Sequence, residues 1–158
     1  MTKAHGDAAW LAELAALYAR ADALYAGWSC PGSTECCRFG ITGRQPYVTA
    51  IESSAIRHAL AQRGGPLAPA KRALPIALGE ERERVCPLLD RNQRCSVYAA
   101  RPLGCRTFYC GKATAGLGPE RAELRELTRE LQELAARHRM GGEAARPLLR
   151  VLESGWGG

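Results

Sequence analysis

The sequence predicts a mainly α protein with a small β-hairpin, built as a single cysteine-rich domain with flanking N- and C-terminal helices. Its 158 residues, 46% of them hydrophobic and 24% charged, have the size and balance of one globular domain. Apolar residues recur at helical spacing near both ends, whereas all seven cysteines lie within residues 30–110. We therefore divide the chain into an N-terminal helix at 1–27, a cysteine cluster domain at 28–112 and a C-terminal helical segment at 113–158 that packs on it.

The N-terminal segment predicts an amphipathic helix over residues 7–27. Asp7 can cap its start, and Gly27 can end it. The apolar positions at helical spacing are Trp10, Leu11, Leu14, Leu17, Tyr18, Ala21, Leu24 and Tyr25. A stripe of this kind indicates that one face of the helix packs on the rest of the protein.

A second helix is predicted to begin at residues 49–52, which read Thr-Ala-Ile-Glu. This is the Ser/Thr-x-x-Glu capping box, in which the two side chains hydrogen-bond backbone N–H groups that the first turn leaves unpaired. The helix should run to the stop at Gly64-Gly65. We therefore interpret Glu52 as a cap and not as a ligand, and His58, which has no partner at ligand spacing, as a solvated side chain.

The middle of the chain predicts a loop followed by a hairpin. Residues 64–82 are rich in proline and glycine and predict a connecting loop with one helical turn. The turn-forming residues 90–93 read Asp-Arg-Asn-Gln, and short strands on either side of them would form a small β-hairpin. With a two-residue loop at the centre of this turn, Cys86 faces position 97 and Cys95 lies two residues from it. The alternation of strands then places both thiols on one face.

Arg101-Pro102 predicts a change of chain direction after the hairpin, because proline fixes its own backbone and pushes its predecessor out of the helical region. This bend can return Cys105 and Cys110 towards the hairpin. The four cysteines of the segment therefore have a route to one site.

The C-terminal segment predicts a long helix that begins after Pro119 and ends near Met140, followed by a short helix over residues 143–152. The apolar stripe of the long helix consists of Leu124, Leu127, Leu131 and Leu134. The stripe is narrow, and this leaves open a role in binding an unknown protein partner.

The number of cysteines is the main functional signal. No run approaches the roughly 18 to 20 uncharged apolar residues of a membrane helix, and acidic residues interrupt any signal core at the N-terminus. We therefore expect a cytoplasmic protein without membrane contact, in a compartment that keeps thiols reduced. An odd number of thiols there favours metal ligation over a disulfide scaffold or simple core packing, and predicts a metal-stapled domain. The candidate metal ligands are Cys30, Cys36, Cys37, Cys86, Cys95, Cys105 and Cys110.

Adjacent Cys36 and Cys37 pose a particular problem of geometry. Successive side chains diverge, so two neighbouring sulfurs do not easily reach one small ion. The pair suits two metals or a polynuclear cluster, unless one of the two cysteines packs as core.

The segment from Arg82 to Lys112 carries seven basic residues against two acidic ones, and so supplies most of the formal net charge of +6. Guanidinium groups near thiolates lower the thiol pKa and offset the negative charge of a metal-thiolate site. A nucleic-acid surface is the alternative explanation of this charge. Few aromatic residues interleave with the basic ones, and this disfavours nucleic acid as the partner.

The motif residues resemble the CxxCxxCC family, the YkgJ-type cysteine cluster proteins that are described as a zinc- or iron-chelating domain. The matching residues are Cys30, Cys36, Cys37, Thr49, Glu52, Cys86, Pro87, Leu89, Asp90, Cys95, Ser96, Tyr98, Arg101, Pro102, Cys105, Arg106, Phe108 and Cys110. Ser33 stands where the family pattern has a further cysteine, so two complete sites of four thiolates cannot form from cysteine alone. The resemblance covers residues 28–112 and implies zinc or iron as the cofactor.

Three questions stay open at the level of sequence. The varied cysteine spacing slightly favours iron or an iron-sulfur cluster, and zinc remains close behind. The protein can be an accessory, redox or metal-handling protein. It can also be a cluster-dependent redox or group-transfer enzyme similar to a methylase. The third alternative is a zinc-stapled module that binds nucleic acid or protein. Around the ligands we expect Arg101, Arg106 and Tyr98, with the planar fork of Arg101 donating to thiolates or to neighbouring backbone.

Overall fold

The computed structural model describes residues 2–28, 34–65, 85–108 and 118–154. Within these ranges the chain is mainly helical with one small antiparallel pair of strands, so the predicted fold class is confirmed, whereas metal stapling stays a prediction. The helices are α1 (Thr2–Leu24), α2 (Phe39–Thr42), α3 (Ala50–Gln62), α4 (Leu103–Arg106), α5 (Arg121–His138) and α6 (Leu148–Glu153). The strands are β1 (Tyr47–Val48) and β2 (Arg146–Pro147), and short 3-10 turns lie at Glu35–Cys37 and Tyr98–Ala100.

Helix α1 has the predicted apolar stripe but different ends. It begins at Thr2, so Asp7 lies inside the helix and does not cap its start. It ends at Leu24, and residues 25–27 form a turn. The end of a helix depends on what it packs against as well as on its caps, and α1 packs along α5 for much of its length.

The three long helices α1, α3 and α5 share one hydrophobic core. Its buried members are Leu14, Leu17, Tyr18, Ala21, Ile51, Ala55, Leu103, Leu127, Leu131, Leu134 and Ala135. Three leucines of the α5 stripe thus lie in the protein's own core. Binding of a partner through the C-terminal helix stays a prediction, but the apolar face on which it rested is covered by α1.

Helix α3 follows its sequence signals closely. Both hydrogen bonds of the capping box between Thr49 and Glu52 are present, as predicted. The helix ends at Gln62, after which Gly64 and Gly65 adopt left-handed φ angles of 99° and 111°. The Gly65 N–H donates to the carbonyl of Leu60 at 2.8 Å, which satisfies a carbonyl of the last turn.

A second core lies on the other face of α3 and supports the cysteine segments. Its buried members are Phe39, Val48, Ile56, Leu60, Cys86, Leu88, Val97, Leu148 and Val151. Cys37 and Cys95 pack against its edge. The cysteine segments are therefore anchored on α3 and α6 by apolar contacts.

The strand pair is not where the hairpin was predicted. β1 pairs with β2, with Tyr47 opposite Pro147 and Val48 opposite Arg146. The predicted hairpin contains one isolated bridge, between Leu89 and Cys95, which is one residue out of the expected register. Proline at position 87 has no N–H to donate, so a longer ladder cannot form there.

The turn of the predicted hairpin is also longer than expected. The Oδ1 atom of Asp90 accepts hydrogen bonds from the backbone N–H groups of Asn92 at 2.8 Å and Arg94 at 3.0 Å. Gln93 adopts a left-handed φ of 59°. The aspartate side chain thus organises a wider loop in place of the two-residue turn.

The C-terminal region differs from its prediction in one element. The last helix is α6, shorter than the predicted helix over 143–152, because residues 146–147 are recruited into β2. Most of the predicted loop, residues 66–82, lies outside the described residues. In the described part of the chain, none of the helices combines the length and the apolar character that crossing a bilayer requires.

Candidate metal centre

Two distant segments meet to form the floor of the candidate site. The 3-10 turn Glu35–Cys37 carries Cys36 and Cys37. The backbone N–H of Cys86 donates to the carbonyl of Cys37 at 2.7 Å, and Arg38 forms an isolated antiparallel bridge with Val85. The first and second cysteine segments are therefore joined through their backbones.

Five cysteines line one cleft of about 1240 Å³: Cys36, Cys37, Cys86, Cys95 and Cys105. The sulfurs of Cys36 and Cys37 lie 3.9 Å apart, in spite of the divergence expected for neighbours. The other two candidates, Cys30 and Cys110, lie outside the described residues. Among the described residues, no three ligand side chains converge closely enough to hold an ion. The fold thus collects thiols in one place without setting them at coordination distance.

The environment raises the pKa of most of these thiols. Burial raises the pKa of Cys86 to about 11, and it also raises the pKa of Cys95 and Cys105. Within the adjacent pair, a hydrogen bond from Cys37 lowers the pKa of Cys36, and the same bond raises the pKa of Cys37. Without a metal most of the cleft thiols are therefore protonated at neutral pH, and a metal must displace those protons.

The backbone favours the thiolate form at two of the sulfurs. A backbone hydrogen bond with Leu88 lowers the pKa of Cys86, and one with Val97 lowers the pKa of Cys95. In both cases the donor follows its cysteine by two residues, and in both the bond lowers the thiol pKa against the effect of burial. Such bonds stabilise the thiolate, which is the form that binds metal.

Cys105 is positioned by a buried carboxylate on another helix. It lies on α4, and the backbone N–H of Leu103 at the start of α4 donates to Oε1 of Glu52 at 2.8 Å. The same oxygen accepts from the hydroxyl of Tyr18 at 3.3 Å, while Oε2 accepts from the N–H and hydroxyl of Thr49 at 2.8 and 3.0 Å. Burial raises the pKa of Glu52. One side chain thus caps α3 and holds α4 in place.

Arg106 holds the same region from the side of α1. Its guanidinium donates to Asp22 at 2.6 Å, to the carbonyl of Arg101 at 2.8 Å and to the carbonyl of Ala99, and it lies over the ring of Tyr18 at 4.1 Å. The residue is 4% exposed and is not among the residues that line the cleft. The contacts of Arg106 fix the backbone of residues 99–101, and its expected place around the ligands stays a prediction.

Arg101 and Tyr98 lie at the cleft itself. The guanidinium of Arg101 stacks on the ring of Tyr98 at 3.7 Å, and both residues line the cleft. Arg101 lowers the pKa of Cys36, Cys95 and Cys105 through its charge, although other causes are larger. Its buried Nε has no hydrogen-bond partner among the described residues.

These features fit a metal-thiolate centre. The buried Nε–H of Arg101 lacks an acceptor among the described residues, which is costly, and the thiolates of a metal-loaded site would supply acceptors. The donor set is sulfur without histidine or carboxylate among the described lining residues, which suits zinc or iron and not calcium or magnesium.

Sequence reasoning missed several residues that hold this site. Glu52 was identified as a cap, but nothing local indicated its bonds to Tyr18 and to the start of α4. Asp22 gave no signal, because an acidic residue on an amphipathic helix is most often solvated. Gln45 lines the cleft with a buried Nε2 that has no partner in the described part of the chain, and its sequence context is an ordinary loop.

The comparisons with known proteins agree with the chemistry of the cleft. The model of the CxxCxxCC family, described as "putative zinc- or iron-chelating domain", matches residues 29–130. No curated protein and no solved structure matches the chain. The match spans all the described cysteines and the helices α3 and α4 that position them.

Proposed function

From its membership of the CxxCxxCC family, to which this chain belongs, we propose that the protein binds zinc or iron through its cysteine cleft and serves as an accessory, redox or metal-handling protein. The observation that carries the proposal is that five thiols, from two distant chain segments, line one cleft. If the cysteines were only core residues, they would lie singly among apolar neighbours. They would have no reason to share one cleft that an arginine also lines.

Metal binding would complete the site by drawing the sulfurs together. Thiolate sulfurs lie about 2.3 Å from zinc in protein sites, and no three described ligand side chains are yet close enough together to hold an ion. The backbone bonds at Cys86 and Cys95 support the thiolate form in advance. We expect the remaining energy to come from the metal itself, so that loading stabilises the fold.

The accessory role and the cytoplasmic location are parts of the same proposal. Outside the cysteines, the described cleft lining contains no histidine or carboxylate for acid-base work. Free thiolate ligands also persist best where the cell keeps thiols reduced, as in the cytosol.

The test is the metal content of anaerobically purified protein. We expect about one metal centre per chain, with zinc giving a colourless protein and an iron-sulfur cluster a coloured one; elemental analysis and visible spectroscopy separate the two. Protein prepared anaerobically with reductant that contains neither zinc nor iron would contradict the proposal.

Single variants rank the ligands. We expect Cys86→Ser, Cys95→Ser and Cys105→Ser each to lose most of the metal, and Cys36→Ser and Cys37→Ser to differ from each other because their thiols share one hydrogen bond. His58→Gln is the matched control, since His58 is exposed on the outer face of α3. An unchanged metal content in all five cysteine variants would mean that these cysteines pack as core residues and do not bind metal.

A further inference from the structure

The cysteine cleft is larger than a metal centre requires. Its volume of about 1240 Å³ exceeds the roughly 300–1000 Å³ typical of pockets for small organic ligands. An ion bound by sulfurs at about 2.3 Å fills a small part of such a space. The cleft extends away from the thiols to the loop at residues 43–46 between α2 and β1, and to Phe108.

The cleft is lined by positively charged side chains. Arg44, Arg94 and Arg101 line the cleft, and the described lining residues include no aspartate or glutamate. Arg101 acts on the thiols, because its charge contributes to the pKa of three cysteines. Arg44 belongs to the loop at residues 43–46, so its charge lies in the part of the cleft that this loop lines.

Arg44 is held in a way that leaves its donors available. Its guanidinium lies over the ring of Phe108, 5.0 Å from the centroid. Stacking uses the face of the guanidinium, whereas its N–H donors lie in the plane and point outwards at the edge. In the described part of the chain, no carboxylate forms a salt bridge with Arg44.

The next residue supplies a second donor. Gln45 also lines the cleft, and its buried Nε2 has no acceptor among the described residues. A buried amide N–H without a partner costs about 1–3 kcal/mol, so an acceptor bound at this residue would relieve that cost. A charged fork and a neutral amide on consecutive residues that both line the cleft suit the oxygens of a carboxylate or a phosphate.

We propose that Arg44 and Gln45 form a subsite for a small organic oxyanion, a carboxylate or a phosphate, which sits in the cleft beside the metal. This inference rests on the proposed function, because it names the class of ligand that such a metal site would receive. The exposed ring of Tyr47, which lines the same end of the cleft, offers an apolar surface for the body of the ligand.

The experiment titrates three probes into zinc-loaded protein and into chelator-treated protein, with chemical shifts as the readout. Phenyl phosphate carries a ring and a phosphate, benzoate a ring and a carboxylate, and phenol a ring without charge. We expect at least one of the two anions to bind at least tenfold more tightly than phenol at constant ionic strength, and the comparison between them identifies the preferred oxyanion.

Variants locate the subsite. Arg44→Gln should weaken binding of the preferred anion at least tenfold, and Gln45→Glu should do the same by placing a carboxylate beside Arg44. Metal per chain should remain unchanged in both. Arg121→Gln is the control, because Arg121 is an exposed arginine at the start of α5 and does not line the cleft.

The outcomes separate the two proposals. Anion binding no tighter than phenol binding, or anion binding equal in wild type and Arg44→Gln, overturns the subsite whatever the metal content. Anion binding that depends on Arg44, in a protein whose anaerobic preparation contains neither zinc nor iron and which does not take up zinc, supports the subsite and overturns the proposed function. Tighter binding of a single-stranded oligonucleotide than of phenyl phosphate, also lost in Arg44→Gln, would assign the surface to nucleic acid and overturn the inference.

Discussion

Replacing Glu52 by glutamine tests how the fold positions its cysteines. The side chain is 1% exposed, and its two oxygens accept four hydrogen bonds, from Tyr18, Leu103 and both donors of Thr49. Glutamine has nearly the same shape but offers one acceptor and one donor group. In either orientation its NH2 group faces a backbone N–H, that of Thr49 or that of Leu103.

The expected cost follows from these contacts. Losing one hydrogen bond to a charged group costs about 1.5–3 kcal/mol, and a buried donor left unpaired costs about 1–3 kcal/mol. Removing a buried negative charge offsets part of this loss, because burial raises the Glu52 pKa and so already penalises the carboxylate. We expect a net destabilisation of about 2–3 kcal/mol, which lowers the Tm by roughly 4–12 °C in a protein of this size.

The assay is urea unfolding of chelator-treated protein, followed by circular dichroism. Metal-free protein is used so that the change in free energy reports the fold alone. Glu143→Gln is the matched control, because Glu143 is exposed in the turn before β2. A second measurement, metal affinity, should also fall in Glu52→Gln because α4 carries Cys105.

A loss below about 0.5 kcal/mol, equal to that of Glu143→Gln, would refute this reasoning. It would mean that the four hydrogen bonds of Glu52 add nothing beyond what water supplies. A loss of stability with unchanged metal affinity would show that Glu52 does not position Cys105 for metal binding.

Three further outcomes follow from the same contacts. Arg106→Lys should lower the free energy of unfolding by about 2–3 kcal/mol in urea, because an ammonium cannot reach Asp22 and two carbonyls at once. An unfolding curve that matches the wild type would contradict this role. Arg101→Lys should keep the circular dichroism spectrum but lower the metal affinity measured by competitive chelation by about 10 to 100-fold, since lysine keeps the charge and loses the planar fork. An unchanged chelation curve would mean that Arg101 is a surface residue without a role at the site. Metal affinity should rise steeply from pH 6 to pH 8, by about tenfold per pH unit for each thiol that must lose its proton. The reason is that burial raises the pKa of Cys86, Cys95 and Cys105. A metal affinity that does not change with pH would show that these thiols are not ligands.

The sequence alone determined the features that depend on short stretches of chain. The periodicity of α1 and α5, the capping box of α3 and its glycine stop can be predicted because each signal acts within one or two turns of helix. The candidate ligands could be named for a similar reason, since seven cysteines confined to residues 30–110 have few other uses.

Which distant residues meet depends on packing, and local sequence patterns do not indicate it. β1 and β2 pair across almost 100 positions, whereas the local hairpin signal at 85–98 yields one bridge. The contacts that hold the site, from Glu52 to Leu103 across 51 positions and from Arg106 to Asp22 across 84, leave no mark on nearby sequence. Local patterns report what a segment can form, but a buried carboxylate or guanidinium finds its partners only when packing closes the chain around it and removes water as an alternative.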